Sequence, residues 1–217
     1  MKTFGRLAFG LSLVVLAAAP ALAQGQGRGF GGGGGPMLLG NKGVQQEIKA
    51  TDDQVSKLNT FAEELRGKQR EAFQGFQDLS QDERREKMTE FQKTMQADIN
   101  KGLAEILKPE QTKRFHQIQV QQAGSNAFTQ AHVADKLKLT DEQKSKVRDI
   151  NQEVMTSMGE LREQFQNDRE GAMKKATEIR KAASDKAVEV LTAEQKTAYK
   201  DLIGAPYEVK FEPRPNN

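Results

Sequence analysis

Apolar residues recur along most of this chain at intervals of three and four positions. The pattern runs through four segments: 55–79, 88–106, 147–165 and 176–190. Such intervals place the apolar side chains on one face of a helix, where they form a seam for packing against another helix. The pattern predicts an all-α fold of two tandem long helical hairpins with short lead-in helices, elongated and packed like coiled coils.

Four copies of a short phrase predict where helices begin. The copies read ATDDQ, LKPEQ, LTDEQ and LTAEQ, and they end at Gln54, Gln111, Gln143 and Gln195. Three copies have the capping-box pattern, in which a threonine stands three positions before the glutamine: Thr51, Thr140 and Thr192. The second copy has Pro109 instead, which suits the first position of a helix.

The spacing of the phrases indicates an internal duplication. In both halves of the chain 22 residues separate the glutamine from a later phenylalanine: Gln54 from Phe76, and Gln143 from Phe165. The two glutamines of a half are 57 residues apart in the first and 52 in the second, a difference that a turn between helices can absorb. We therefore predict two helical repeats, residues 38–122 and 125–204.

The two ends of the chain do not follow the helical pattern. Residues 1–23 combine two early basic residues, an apolar run and a small-x-small site, which predicts a secretory signal peptide. Residues 24–37 are rich in glycine and predict a flexible linker. Residues 205–217 contain three prolines, which exclude a helix, so we expect either an extended strap on the helices or a loose terminus.

The composition limits the classes of partner. The chain has 33 basic and 30 acidic residues, and the predicted signal peptide removes two basic residues, so the mature chain is close to neutral. This balance favours neither nucleic acid nor an anionic membrane as a partner, and we expect no stable membrane insertion after cleavage. The chain has no cysteine, so apolar packing must hold the helices together.

Groups that could support catalysis or bind a metal are sparse. Without a cysteine, a G-x-S-x-G phrase or a phosphate-binding glycine loop, the sequence predicts no enzyme and no cofactor. Its two histidines are His116 and His132, and Asp135 stands one helical turn after the second. A structural zinc site needs four ligands, so we predict no metal site.

The repeated phrase carries a resemblance to a known family. Paired LTxxQ motifs in an exported all-helical chain resemble the Spy/CpxP family of periplasmic bacterial stress proteins. The full motifs begin at Leu139 and Leu191, and the copies ending at Gln54 and Gln111 are degenerate. The resemblance covers residues 38–204 and implies a periplasmic location and a function as an ATP-independent chaperone, a stress-signalling inhibitor or a metal-linked envelope protein.

The number of motifs bears on the oligomeric state. The resemblance implies that chaperones of this kind carry one motif pair per chain and act as cradle-shaped dimers. Because this chain has two pairs, we expect a monomer that forms an intramolecular pseudo-dimer, with residues 119–125 as the connection.

Apolar side chains near the predicted hairpin turns are the candidate binding residues. Methionine and phenylalanine suit adaptable contacts with non-native chains. The candidates, each with packing in the helical seam as its alternative, are Phe73, Phe76, Met155, Met158, Phe165 and Met173. The sequence favours an exported chaperone-like protein that binds unfolded or envelope proteins. The alternative is a regulatory or structural envelope protein with one specific partner, and a metal-linked stress protein is less favoured.

Overall fold

The computed structural model describes residues 35–211, and these residues confirm the all-α fold. They form ten α-helices and one 3-10 helix, with no strand between residues 35 and 211. The predicted signal peptide, the linker up to residue 34 and the tail from residue 212 lie outside the described residues. Within this range no helix is both long and apolar enough to cross a membrane.

The helices occur in the same order in the two halves of the chain, except that the second half has one additional short helix at its turn. The first half contains α1 (Gly35–Leu39), α2 (Lys42–Glu47), α3 (Asp52–Gly75), α4 (Gln81–Ile106) and α5 (Pro109–Ala123). The second half contains the 3-10 helix η1 (Gly124–Thr129), α6 (Ala131–Leu137), α7 (Asp141–Glu160), α8 (Gln164–Asn167), α9 (Arg169–Glu189) and α10 (Ala193–Ile203). The short helices α1 and α2 lead into the first half, and η1 and α6 lead into the second.

The predicted capping boxes start three of these helices. At α3, the N–H of Gln54 donates to the Thr51 hydroxyl at 3.3 Å, and the Gln54 side chain accepts from the Thr51 N–H at 3.0 Å. The same two bonds begin α7 at Thr140 and α10 at Thr192. The bonds satisfy backbone donors that the first turn of a helix leaves free, so the start of each helix is set locally.

The first lead-in helix begins earlier than the sequence predicts. Residues 35–37, which we assigned to the flexible linker, belong to α1. Gly35 is buried, and a Cβ atom on it would lie 2.7 Å from the Cδ1 atom of Ile99. The glycine is therefore packed against α4, and Pro36 follows in the first turn, where proline is well tolerated.

The second hairpin is interrupted at its turn. The seam predicts one helix through Phe165, but α7 ends at Glu160 and Phe165 lies in the separate short helix α8. Gly159 stands one residue before the end of α7, and a glycine there costs about 1 kcal/mol of helix stability relative to alanine. Asp168 then starts α9, since its carboxylate accepts from the N–H of Gly171 at 2.9 Å.

The buried side chains form two cores that share one helix. The first core joins α1 and α2 to one face of α3, α4 and α5, and the second joins η1, α6, α7 and α10 to the last turns of α9. Helix α5 contributes Phe115 and Ile118 to the first core and Val120 and Ala123 to the second.

Two glycines of the first hairpin should respond oppositely to substitution by alanine. Gly67 has open space where a Cβ would stand, so Gly67→Ala should raise the free energy of unfolding by about 1 kcal/mol. A Cβ on the buried Gly102 would overlap the ring of Phe61, so Gly102→Ala should lower it by about 1–2 kcal/mol. Chemical denaturation of the two variants checks both signs, and a shift in the same direction for both would contradict the packing of Phe61 on Gly102.

Candidate functional site

The four glutamines of the repeated phrase meet in two pairs. We call Gln54 with Gln111 the first clasp, and Gln143 with Gln195 the second clasp. In the first clasp each Nε2 donates to the Oε1 of the other glutamine at 2.9 Å. In the second clasp the corresponding distances are 2.7 and 3.0 Å. The phrase therefore joins two helix starts in addition to beginning each helix.

Each clasp also binds the backbone of the segment that precedes the opposite helix. In the first clasp Gln54 donates to the carbonyl of Ile106 at 2.9 Å, and Gln111 donates to the carbonyl of Lys49 at 3.0 Å. In the second, the two glutamines donate to the carbonyls of Val190 and Leu137 at 2.9 and 3.0 Å. The clasps thus fix the base of each hairpin to its lead-in helix.

The hydrogen-bonding capacity of these amides is used internally. Each Oε1 accepts the N–H of its own N-cap residue at 2.9 to 3.0 Å and the amide of its partner, and each Nε2 donates to its partner and to a carbonyl. A primary amide has two donors and two acceptor lone pairs, so each glutamine is saturated. The four glutamines consequently act as structural supports, because their amides have no free hydrogen-bonding group for a ligand.

Sequence reasoning missed the pairing of the glutamines. It assigned each glutamine to its own helix start, although the pairs are separated by 57 and 52 residues. One signal could have indicated the pairing: glutamine occupies the third helical position in all four copies, although glutamate also completes a capping box. Of glutamine and ionised glutamate, only glutamine supplies both the donor and the acceptor that a reciprocal pair requires.

A lysine in left-handed backbone conformation stands five residues before the first glutamine of each clasp. These lysines are Lys49, with φ 53°, and Lys138, with φ 50°. The left-handed region costs a side chain other than glycine about 1–2 kcal/mol. In both repeats the strained residue lies at the end of the lead-in helix, where the chain turns toward the clasp.

Replacing Lys138 by glycine should therefore stabilise the protein. Glycine adopts this φ without strain but loses more conformational freedom on folding, so we expect a net gain of about 0.5–1 kcal/mol in the free energy of unfolding. Lys93→Gly, on an exposed position inside α4, is the control and should cost about 1 kcal/mol. Equal losses from both variants in urea titrations would argue against a strained turn at Lys138.

Three aromatic rings lie together at the turn of the first hairpin. The Phe76 ring is edge-to-face with both Phe73 and Phe91, with centroid distances of 6.2 Å in each case. Phe76 is half-buried in this cluster, whereas Phe73 is 37% exposed. The Arg84 guanidinium donates to carbonyls of the turn, including that of Phe76 at 3.1 Å. Of the two candidates here, Phe73 offers apolar surface to solvent and Phe76 supports it.

The second hairpin exposes more apolar surface. Met155 is 52% exposed, Phe165 is 38% exposed and Met173 is 56% exposed, while Met158 is half-buried. Met173 lies in an open depression of about 490 Å³ that is lined otherwise by charged and polar side chains of α9: Arg169, Glu170, Lys174 and Thr177. Four of the six candidate residues are thus exposed large hydrophobic side chains, and the other two are half-buried.

The histidines are neighbours but show no metal site. Burial lowers the pKa of His116, and the charges of His132 and Lys136 lower this pKa further. Partial desolvation and the charge of Lys136 also lower the pKa of His132, whose side chain is exposed, while Asp135 acts in the opposite direction. Between residues 35 and 211 no group of three or more potential acidic or histidine ligands could hold a metal ion. The Nε2 atom of His116 is buried with no hydrogen-bond partner in this part of the chain.

Comparison with known proteins gives one finding. Residues 124–199 match the family model of a domain of unknown function, DUF4890. This segment runs from η1 into α10 and so includes the second clasp. No curated protein and no solved structure matches the chain.

Proposed function

We propose that this protein is an exported, ATP-independent chaperone-like protein of the bacterial cell envelope that holds unfolding polypeptides. The observation that carries the proposal is the exposure of large apolar side chains near the two hairpin turns, at Phe73, Met155, Phe165 and Met173. Single exposed hydrophobic residues are common on folded proteins, whereas apolar side chains that expose a larger surface together mark sites where a partner binds.

The chemistry of this surface suits clients of many sequences. Two of the four side chains are methionines, whose flexible thioether groups adapt to different apolar partners. Charged side chains of both signs surround them, such as Arg169, Glu170 and Lys174 beside Met173. Mixed charges keep the surface soluble and contact polar parts of a client without selecting one sequence.

The duplication supports a monomer as the working unit. Each half of the chain has its own clasp and its own hairpin, and covalent linkage holds the halves at an effective concentration of about millimolar. We propose that the two hairpins supply the two client-binding surfaces that a dimer of single-repeat chains would supply. The resemblance to Spy/CpxP proteins points to the same arrangement.

An aggregation assay on the mature chain tests the proposal. The protein should suppress light scattering by several unrelated unfolding clients without ATP when present in modest molar excess. Sedimentation at the same concentration should show a monomer. Suppression of none of these clients would contradict the proposal and would favour the alternative, a regulatory or structural envelope protein with one partner.

A further inference from the structure

The segment after α10 lies as an extended strap on the first repeat. Helix α10 ends at Ile203 and is followed by Gly204, whose φ of 61° is left-handed, and a Cβ on this glycine would overlap the side chain of Gln117. Residues 205–211, which we call the strap, contain no helix. The strap lies against α5 and the start of α2 in the first half, and we call that surface the strap groove.

The groove holds the strap through its main chain. The side-chain amide of Gln121 donates to the carbonyl of Ala205 at 2.8 Å and accepts from the N–H of Tyr207 at 2.9 Å. Arg114 donates to the same Ala205 carbonyl at 2.9 Å, and Asn41 donates to the carbonyl of Lys210 at 2.8 Å. Any extended polypeptide without proline at the Tyr207 position offers the same donors and acceptors.

Alternate side chains of the strap enter the groove. Val209 is buried in the first core, and Tyr207 is half-buried against that core. Glu208 and Lys210, which stand between and beyond them, are exposed. This alternation is the one that an extended chain produces, with every second residue facing the same side. The groove therefore has one aromatic and one β-branched position, two residues apart.

We propose that the strap groove is a binding site for an extended segment of another polypeptide, and that the strap is its intramolecular occupant. Recognition of the main chain by side chains, with apolar pockets for alternate residues, is how proteins bind extended peptides of varied sequence. The ligand class is an extended segment with an aromatic residue followed two positions later by a β-branched residue. The proposal goes beyond the proposed function, because the groove is built from α2 and α5, away from the candidate residues of both hairpin turns.

The tether sets how a foreign segment would compete. A strap joined to its groove by a short connection has an effective concentration of about millimolar. A foreign segment must exceed this level or bind more tightly to displace the strap. The strap consequently keeps the groove closed to weak ligands, and a displaced strap would leave the apolar positions of Tyr207 and Val209 open.

Peptide binding to the full mature chain tests the site. The probe is a fluorescent peptide with the sequence of residues 204–211, GAPYEVKF, measured by anisotropy. The double variant Tyr207→Ser/Val209→Ser, which weakens the strap but leaves the groove intact, should bind the peptide at least tenfold more tightly than wild type. Glu208→Ala/Lys210→Ala is the matched control, and it should bind as weakly as wild type because those side chains are exposed.

Two further arms separate the groove from non-specific binding. Gln121→Ala in the strap-weakened chain should lower peptide affinity at least tenfold. A second peptide with Phe and Ile at the two pocket positions should bind within about fivefold of the first. Binding that is absent from a folded double variant, or unaffected by Gln121→Ala, would overturn the proposal.

Two measurements on the wild-type chain complete the test. When the strap is bound, the Tyr207 N–H donates to the Oε1 of Gln121, so excess peptide that displaces the strap should accelerate hydrogen exchange at this N–H. This measurement uses the wild-type chain and therefore does not depend on the stability of a variant. The alternative is that two copies of the chain exchange their straps. In that case sedimentation would show dimers, and the chain would bind the peptide with the exact strap sequence but not the Phe/Ile peptide. That result would overturn the assignment to a foreign chain.

Discussion

Replacement of Gln195 by alanine should lower the free energy of unfolding by about 2–4 kcal/mol. The change removes one half of the second clasp, so the Leu137 carbonyl and the Thr192 N–H lose their Gln195 partner, and the Gln143 amide loses its two bonds across the clasp. Each buried polar group that loses its partner costs about 1–3 kcal/mol, and partial access of water reduces the total. Urea titration followed by circular dichroism measures the loss.

Gln122→Ala is the control for this prediction, because Gln122 is an exposed glutamine near the end of α5. It should change stability by less than about 0.5 kcal/mol. A double-mutant cycle of Gln143→Ala and Gln195→Ala should give a coupling energy of about 1–2 kcal/mol, since each variant already breaks the shared bonds. Additive losses would mean that the two amides act independently at their own helix starts.

Gln195→Glu separates the two roles of the glutamine. Glutamate still accepts the N-cap N–H, but its carboxylate has no donor for the Leu137 carbonyl or the Gln143 oxygen. We expect a loss similar to that of Gln195→Ala at neutral pH. Lowering the pH toward 4 should recover part of this loss relative to wild type, because protonation restores one donor.

Replacement of the four exposed apolar side chains by serine should remove most of the chaperone-like activity. The quadruple variant changes Phe73, Met155, Phe165 and Met173. Covering one such side chain with a client contributes about 1–2 kcal/mol, so the variant should require at least tenfold more protein for half-maximal suppression of aggregation. Light scattering of at least two unrelated clients measures the change.

The matched control replaces neighbouring exposed polar residues by serine at Gln74, Gln152, Gln166 and Glu178. This variant should keep activity within about twofold of wild type. Both variants should retain the helical circular dichroism spectrum, since none of the eight side chains is buried. Equal activity of the apolar and polar variants would mean that the exposed apolar side chains near the hairpin turns do not bind clients.

The helix starts could be predicted from the sequence because their causes are local. A threonine and a glutamine three positions apart satisfy each other's backbone donors wherever they stand, so Thr51, Thr140 and Thr192 indicate helices without knowledge of the fold. The all-α class follows from the same local periods. The predicted boundary between the linker and the first lead-in helix was wrong, because Gly35 and Pro36 resemble the glycine-rich residues before them. Only the packing of Gly35 against α4 distinguishes them.

The features of the candidate sites that sequence reasoning missed are all non-local. Reciprocal bonding between Gln143 and Gln195 depends on two helix starts coming together from 52 residues apart. The strap stayed undecided because its docking depends on Arg114 and Gln121 in another repeat. The sequence also did not decide whether Met155 and Met173 are exposed, because heptad spacing does not show where a partner helix ends.

The sharing of α5 between two cores has a consequence for cooperativity. Phe115 and Ile118 pack in the first core while Val120 and Ala123 pack in the second, all on one continuous helix. Unfolding of this helix as a whole removes buried surface from both repeats. The repeats are therefore thermodynamically linked, and unfolding of one repeat destabilises the other through their junction. We expect the two repeats to unfold as one unit, so a stabilising change in either repeat should also protect the other.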